Sequence, residues 1–196
     1  VDAIKIGMLH SSEVIAGVRE MLVKYAVRNV VLDPVMVSTS GHRLIDEDAI
    51  EELKTQLLPK ARVITPNIPE AEILLGGKVL DGQSSLPDAA RQLAKNFDTS
   101  VLLKAGHLTE QQLVDYFYDA EQGQMIQLPS TRIDTVNTHG TGCTMSSAFA
   151  ALLAQGKSLQ EAAVGAKQFI NQAIIAGAEY EIGHGHGPVK HFYAQW

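Results

Sequence analysis

The sequence predicts an α/β fold, with a mostly parallel central sheet covered by helices on both faces. Three observations carry this expectation. Short, continuously apolar runs such as Val30-Val31-Leu32 and Val101-Leu102-Leu103 recur, as strands buried on both faces require. Between them, apolar residues return at helical spacing. The two patterns alternate along the chain, the order that builds strand–helix–strand units.

Each element follows in turn. Residues 4–9 read as a strand. Val14, Ile15, Val18, Met21, Leu22 and Tyr25 form a helical stripe behind two serines that can cap it. Residues 30–33 are a second strand that ends on Asp33. Ile45, Ala49, Ile50, Leu53 and Leu57 mark a helix with Asp46 as candidate cap. Residues 63–65 are a third strand, and a short helix over 68–75 closes on Gly76-Gly77. Pro87 opens a helix running to Phe97. Residues 101–104 are a fourth strand. Residues 113–118 and 125–128, joined through a Gln-Gly turn, read as an antiparallel pair at a sheet edge. Two helices end the fold, one over residues 141–154 and one beginning at Ser158, where Glu161 completes a capping box.

Composition narrows the function. The 196 residues are 45% hydrophobic and 19% charged, enough for one domain with a substantial core. A net charge of −6 argues against general nucleic-acid binding. The single cysteine, Cys143, cannot form an internal disulfide. The apolar runs are too short to span a bilayer, so no membrane role is expected and a cytoplasmic enzyme is the default. The chain begins almost inside its first strand, which suggests a missing N-terminal portion.

The residues with chemical potential gather where strands end, because ligands of such sheets bind at the carboxyl ends of the strands. Thr138-His139-Gly140-Thr141-Gly142-Cys143-Thr144 runs directly into an apolar helix. Its glycines let backbone N–H groups converge, and the helix N-terminus favours an anion such as phosphate. A thiol at that terminus is favoured as thiolate, although a helix start with a buried cysteine reads equally well. Asp33 precedes Pro34, a common turn pair, yet its position suits a carboxylate that orients hydrated magnesium. Glu70 either stabilises a helix N-terminus or shares that ion. Asn67 either caps the helix or holds the same hydrated ion. Lys104 ends an apolar strand and needs a polar partner, which a phosphate supplies. His107 reads as a loop residue. His184 and His186 lie among glycines without a rigid frame, so residues 183–188 are expected to form a loop over a nucleotide rather than a metal site.

In order, Lys5-Ile6-Gly7-Met8-Leu9, Asp33-Pro34-Val35-Met36, Thr65-Pro66-Asn67-Ile68-Pro69-Glu70-Ala71, Lys104-Ala105-Gly106-His107, Thr138–Thr144 and Gly185-His186-Gly187-Pro188 resemble the hydroxymethylpyrimidine/phosphomethylpyrimidine kinases, within the ribokinase-like superfamily. The resemblance spans nearly the whole chain. It implies a ribokinase-like fold and ATP-dependent phosphorylation of a small pyrimidine alcohol, then of its monophosphate, in thiamine biosynthesis. By the same resemblance Cys143 is the catalytic base beside a Gly140-Thr141-Gly142 anion nest, and Asp33 and Glu70 serve Mg2+. Lys104, Asn67 and, more weakly, Lys167 face ATP, while Met8 and Val35 contact the pyrimidine ring. A homodimer is usual in the resembled family. Ala105 departs from the family's second glycine. The resemblance also implies a leading strand and glycine-rich loop, so residues 1–196 are read as one kinase domain incomplete at its N-terminus. Pyridoxal kinases share the cysteine-bearing site and give the nearest alternative activity. A non-catalytic pyrimidine-binding protein is the alternative of a different class.

Overall fold

The computed structural model describes residues 1–37 and 44–195. Four parallel strands come first: β1 (Ile4–Ile6), β2 (Val30–Leu32), β3 (Val63–Ile64) and β4 (Ser100–Leu103). β5 (Gln112–Asp119) and β6 (Gln124–Thr131) follow, each antiparallel to its predecessor. The sheet order is β1-β2-β3-β4-β5-β6, the order of the chain itself.

That order decides where the helices go. Every crossover among β1 to β4 steps the same way, and right-handed crossovers stepping one way place their helices on one face. Accordingly α1 (Ser12–Lys24), α2 (Glu47–Glu52), α3 (Ile68–Leu74) and α4 (Leu86–Phe97) bury Ile15, Ala49, Ala71 and Leu93 in one cluster with Leu32, Ile64 and Leu103. α5 (Thr141–Ala154) and α6 (Leu159–Gly177) cover the other face, where Phe149 and Ala166 pack with Val31, Val63, Leu102 and Phe117. Both faces are covered, as expected.

Most strand and helix ends fall within a residue of the pattern, and the larger departures have local causes. β1 stops at Ile6: the Asp33 N–H still donates to the Ile6 carbonyl, but the next donor facing β1, the Val35 N–H, turns back to the Asp33 carbonyl at 2.8 Å. α2 ends at Glu52 and continues as a π-helical turn, Leu53–Leu57, and a 3-10 turn, Leu58–Lys60. Pro59 cannot donate to a regular helix there, and Leu53, Leu57 and Leu58 all turn into the core. Asp46 occupies the N-cap position but its side chain makes no capping bond. The antiparallel pair is longer than expected, eight residues on each strand. Gly123, at φ 67°, supplies the left-handed residue of its turn. The Ser158–Glu161 capping box forms as read, and Asn67 caps α3 in a second box closed by Glu70. Among the described residues no helix is long and apolar enough to cross a membrane.

Candidate active site

Alternation along the strands assembles one polar row. Val31, Val63 and Leu102 point to the α5–α6 face, so two residues on, Asp33, Thr65 and Lys104 point there too. Parallel register then brings the three together at the carboxyl edge. The Lys104 ammonium donates to Asp33 Oδ1 at 2.8 Å, and the Thr65 hydroxyl donates to the same oxygen at 2.9 Å. Burial opposes ionisation of Asp33, but Lys104, with help from Lys5 and Thr65, holds its carboxyl below the usual range. Lys104 is likewise disfavoured as a cation by burial. Asp33 and Glu70 outweigh this and raise its pKa.

The N-terminus of α5 descends onto this pair. Gly140, at φ 82°, occupies the N-cap. A Cβ at Gly142 would lie 3.1 Å from Lys104 Nζ and 3.9 Å from Asp33 Oδ2, so glycine permits the close approach. The amides of Gly142 and Cys143 fall among the first-turn N–H groups that no helical carbonyl can satisfy. The Ser146 hydroxyl bonds back to the Gly142 carbonyl at 3.0 Å, with Asp33 Oδ2 3.4 Å away. Cys143 is exposed, not buried. It lies near enough to Lys104 for a thiolate charge to help hold the ammonium. A cavity of about 700 Å3 opens beside it between α5 and α6, bounded also by His191 and Tyr193.

Glu70 sits in the first turn of α3 and is almost fully buried. Its Oε2 accepts the Asn67 N–H at 2.8 Å, and Asn67 Oδ1 accepts the Glu70 N–H at 2.9 Å. Burial, with a smaller push from the Asp33 charge, raises its pKa to about 7 despite Lys104 and the backbone donors. Among the described residues no three His, Cys, Asp or Glu side chains converge as a ligand set for direct metal binding.

The remaining candidates lie around this centre. Met8 is exposed just beyond β1, and Val35 is half-buried beyond β2. Lys167 is committed elsewhere than to the Asp33 cluster. Its ammonium pairs with Asp115 Oδ2 at 2.7 Å, and Asp115 Oδ1 accepts the Ala105 N–H at 2.7 Å. It thereby braces the turn that carries Lys104. The Ala105 methyl, where the resembled family has glycine, is buried in the core. His107 is exposed, and partial desolvation and then Lys104 lower its pKa. The 183–188 loop lies against the approach to the Gly140 turn, where the His139 N–H donates to the Gly187 carbonyl at 3.0 Å.

Sequence reasoning missed four supports. Thr65 stood inside a quoted motif without a role. Ser146 follows Gly142 by one helical turn, a spacing that signals a shared face. Asp115 is a charge on an otherwise apolar, aromatic strand. Lys5 interrupts the apolar run of β1 and faces the same side as Val31, its register partner.

Comparison with known proteins matches this geometry to a family. The family model described as phosphomethylpyrimidine kinase matches residues 1–190. The chain is similar to a hydroxymethylpyrimidine/phosphomethylpyrimidine kinase of Rhizobium meliloti, at 43% identity over all of this chain and 73% of the relative. It is 39% identical to a kinase of the same description from Escherichia coli, again over 100% of this chain and 73% of that protein. Among solved structures, an ADP complex of Bacillus subtilis pyridoxal kinase superposes with a TM-score of 0.89 at 36% identity, covering 100% of this chain and 72% of that one. A phosphomethylpyrimidine kinase from Clostridium difficile 630 gives 0.74 at 36% identity, over 88% and 69% of the two chains. With the family model running from the first strand past the Gly140 turn and relatives aligned along its whole length, the chain belongs to the phosphomethylpyrimidine kinase family.

Proposed function

We propose that this protein phosphorylates 4-amino-5-hydroxymethyl-2-methylpyrimidine and then its monophosphate, with ATP as donor, in thiamine biosynthesis. The observation that carries the reading is the approach of the α5 N-terminus onto the Asp33–Lys104 pair, in a chain that the family model matches over residues 1–190. Phosphoryl transfer needs positioning and charge neutralisation more than covalent chemistry. The Gly142 and Cys143 amides, set by Gly140 and Thr141, receive the oxygens of the transferring phosphoryl group. Lys104 offsets charge on the ATP phosphates, and Asn67 lines the same side. Lys167 acts at one remove, through Asp115. Met8 and Val35 meet the pyrimidine ring. Cys143 removes the hydroxyl proton as the oxygen attacks. An alcohol is too weak an acid to ionise fully beforehand, so the two events are concerted.

Asp33 and Glu70 fit a hydrated magnesium ion held through water. Glu70 is close enough to feel the Asp33 charge and is pushed toward its neutral form by burial, a penalty that a divalent cation relieves. When bound, the ion would neutralise charge on the ATP phosphates. A homodimer belongs to the same proposal, and sedimentation tests it.

The deciding experiment is a product assay by mass spectrometry with ATP, magnesium and the pyrimidine alcohol. Mono- and diphosphate products are expected, and no phosphorylated pyrimidine would remove the reading. The TM-score of 0.89 with pyridoxal kinase supports a second reading, phosphorylation of pyridoxal. Pyridoxal assayed beside the pyrimidine decides between them.

A further inference from the structure

The crevice contains a cation that the account above leaves unused. Lys5 lies on β1 opposite Val31, so its side chain rises on the α5–α6 face, the face that carries Asp33 and Lys104. The ammonium folds toward the carboxyl end of its strand: a Cβ on Gly7 would lie 2.9 Å from Lys5 Nζ. The glycine therefore makes the room into which the lysine turns. Lys5 is only half-buried, and among the described residues it has no carboxylate in salt-bridge contact. Its charge nonetheless reaches Asp33.

The local charges explain why this matters. Asp33 is already neutralised by Lys104 at 2.8 Å. The Lys5 charge is therefore surplus, and it stands at one end of the crevice. Position says which ligand it meets. Met8 and Val35, the ring-contact candidates, follow β1 and β2, whereas Asn67 and Lys104 follow β3 and β4. Lys5 is thus on the pyrimidine side of the α5 N-terminus, away from the nucleotide side. A pyrimidine alcohol brings no charge there. Its monophosphate brings about two negative charges.

We infer that Lys5 binds the phosphate of the monophosphorylated pyrimidine and so sets the enzyme's preference for the second phosphorylation over the first. This rests on the pyrimidine reading above. The ammonium donates to a phosphate oxygen that is not the attacking one, holding the nucleophilic oxygen toward the Gly142–Cys143 amides. No bond to Lys5 is made or broken in the transfer. Without it, two phosphate-bearing ligands would meet across the crevice with one ammonium, Lys104, between them.

The test compares both pyrimidines as substrates of the full chain carrying Lys5→Gln or Lys5→Arg. Glutamine keeps most of the stem and loses the charge; arginine keeps the charge. A charge-assisted contact of this kind predicts that Lys5→Gln lowers the kcat/KM ratio of monophosphate to alcohol about tenfold or more, chiefly through KM, with Lys5→Arg retaining most of the ratio. Equal losses on both substrates, or an unchanged ratio, would overturn the inference. Calorimetric titration of each pyrimidine into the folded protein gives the same comparison without turnover. There the wild type should prefer the monophosphate, Lys5→Gln should lose that preference, and a preference that persists would overturn the inference. The pyrimidine reading fails separately, if wild-type protein neither binds nor phosphorylates either compound.

Discussion

Cys143 sits exposed at the head of α5, within electrostatic reach of Lys104. A residue that only filled a core would not be found there. Replacing Cys143 with Ala is expected to cut turnover by about a hundredfold or more while ATP affinity stays close to wild type. Paired turnover and ATP-titration measurements check this, and near-normal turnover would end the base assignment. Glu70 makes a different prediction. Its carboxyl keeps a proton in the folded protein up to about pH 7, against an ordinary value of 4.5. Between those values the folded state binds more protons than the unfolded chain, so stability falls as pH rises through the window. The contribution is full below the lower value and lost above the upper one, by about 3 kcal/mol. Glu70→Gln retains an acceptor for the Asn67 N–H. In metal-free buffer it should flatten the stability profile and exceed wild type at pH 8. Parallel denaturation profiles for the two proteins across pH 4–8 would refute this. At this scale Asp33 and Lys104 were legible as candidates because each follows an apolar strand, and Glu70 and Cys143 because each stands in the first turn of a helix. The Ser146–Asp33 and Asp115–Lys167 contacts were not, because those partners lie far apart along the chain and only folding supplies them.

Elements read most clearly where their ends carry local chemistry. The Ser158–Glu161 and Asn67–Glu70 boxes are closed by side chains three residues apart, so sequence contains both halves. The break in α2 depends on which leucines reach the core, and no local pattern states that. The segment leading into α5 is held from outside. The Asn137 side-chain amide donates to the Gly177 and Tyr180 carbonyls at 2.8 and 2.7 Å. A Cβ at Gly187 would come within 1.9 Å of Asn137 Oδ1. Since Asn137 is tied on its other side, it cannot yield cheaply. Gly187→Ala should therefore cost about 1–3 kcal/mol in denaturant unfolding, and raise KM for ATP by shifting the approach to Gly140. A fully stable variant with unaltered KM would show that the contact is slack.

For the whole molecule, the sheet separates two hydrophobic clusters. Leu93 of α4 packs in one, and Phe149 of α5, tilted against Phe117 at 5.6 Å between centroids, packs in the other. Leu93→Ala and Phe149→Ala should each destabilise by about 3 kcal/mol. Because the sites share no partner, the double variant should equal the sum within ~0.5 kcal/mol. A milder double variant, one that also retains Phe149→Ala levels of activity loss and no more, would indicate that the faces communicate through the strands. The chain's own order of apolar runs, caps and glycines determined the strand–helix alternation, the covered parallel sheet and the glycine turn that opens α5 at Gly140, because those depend on neighbours within a few residues. Tertiary structure alone decided that α1 to α4 share one face, that Asp33 is neutralised by Lys104 and that Lys5 turns into the same crevice. Those contacts join strands separated by tens of residues, and only the sheet's register sets their distances and their share of the charge.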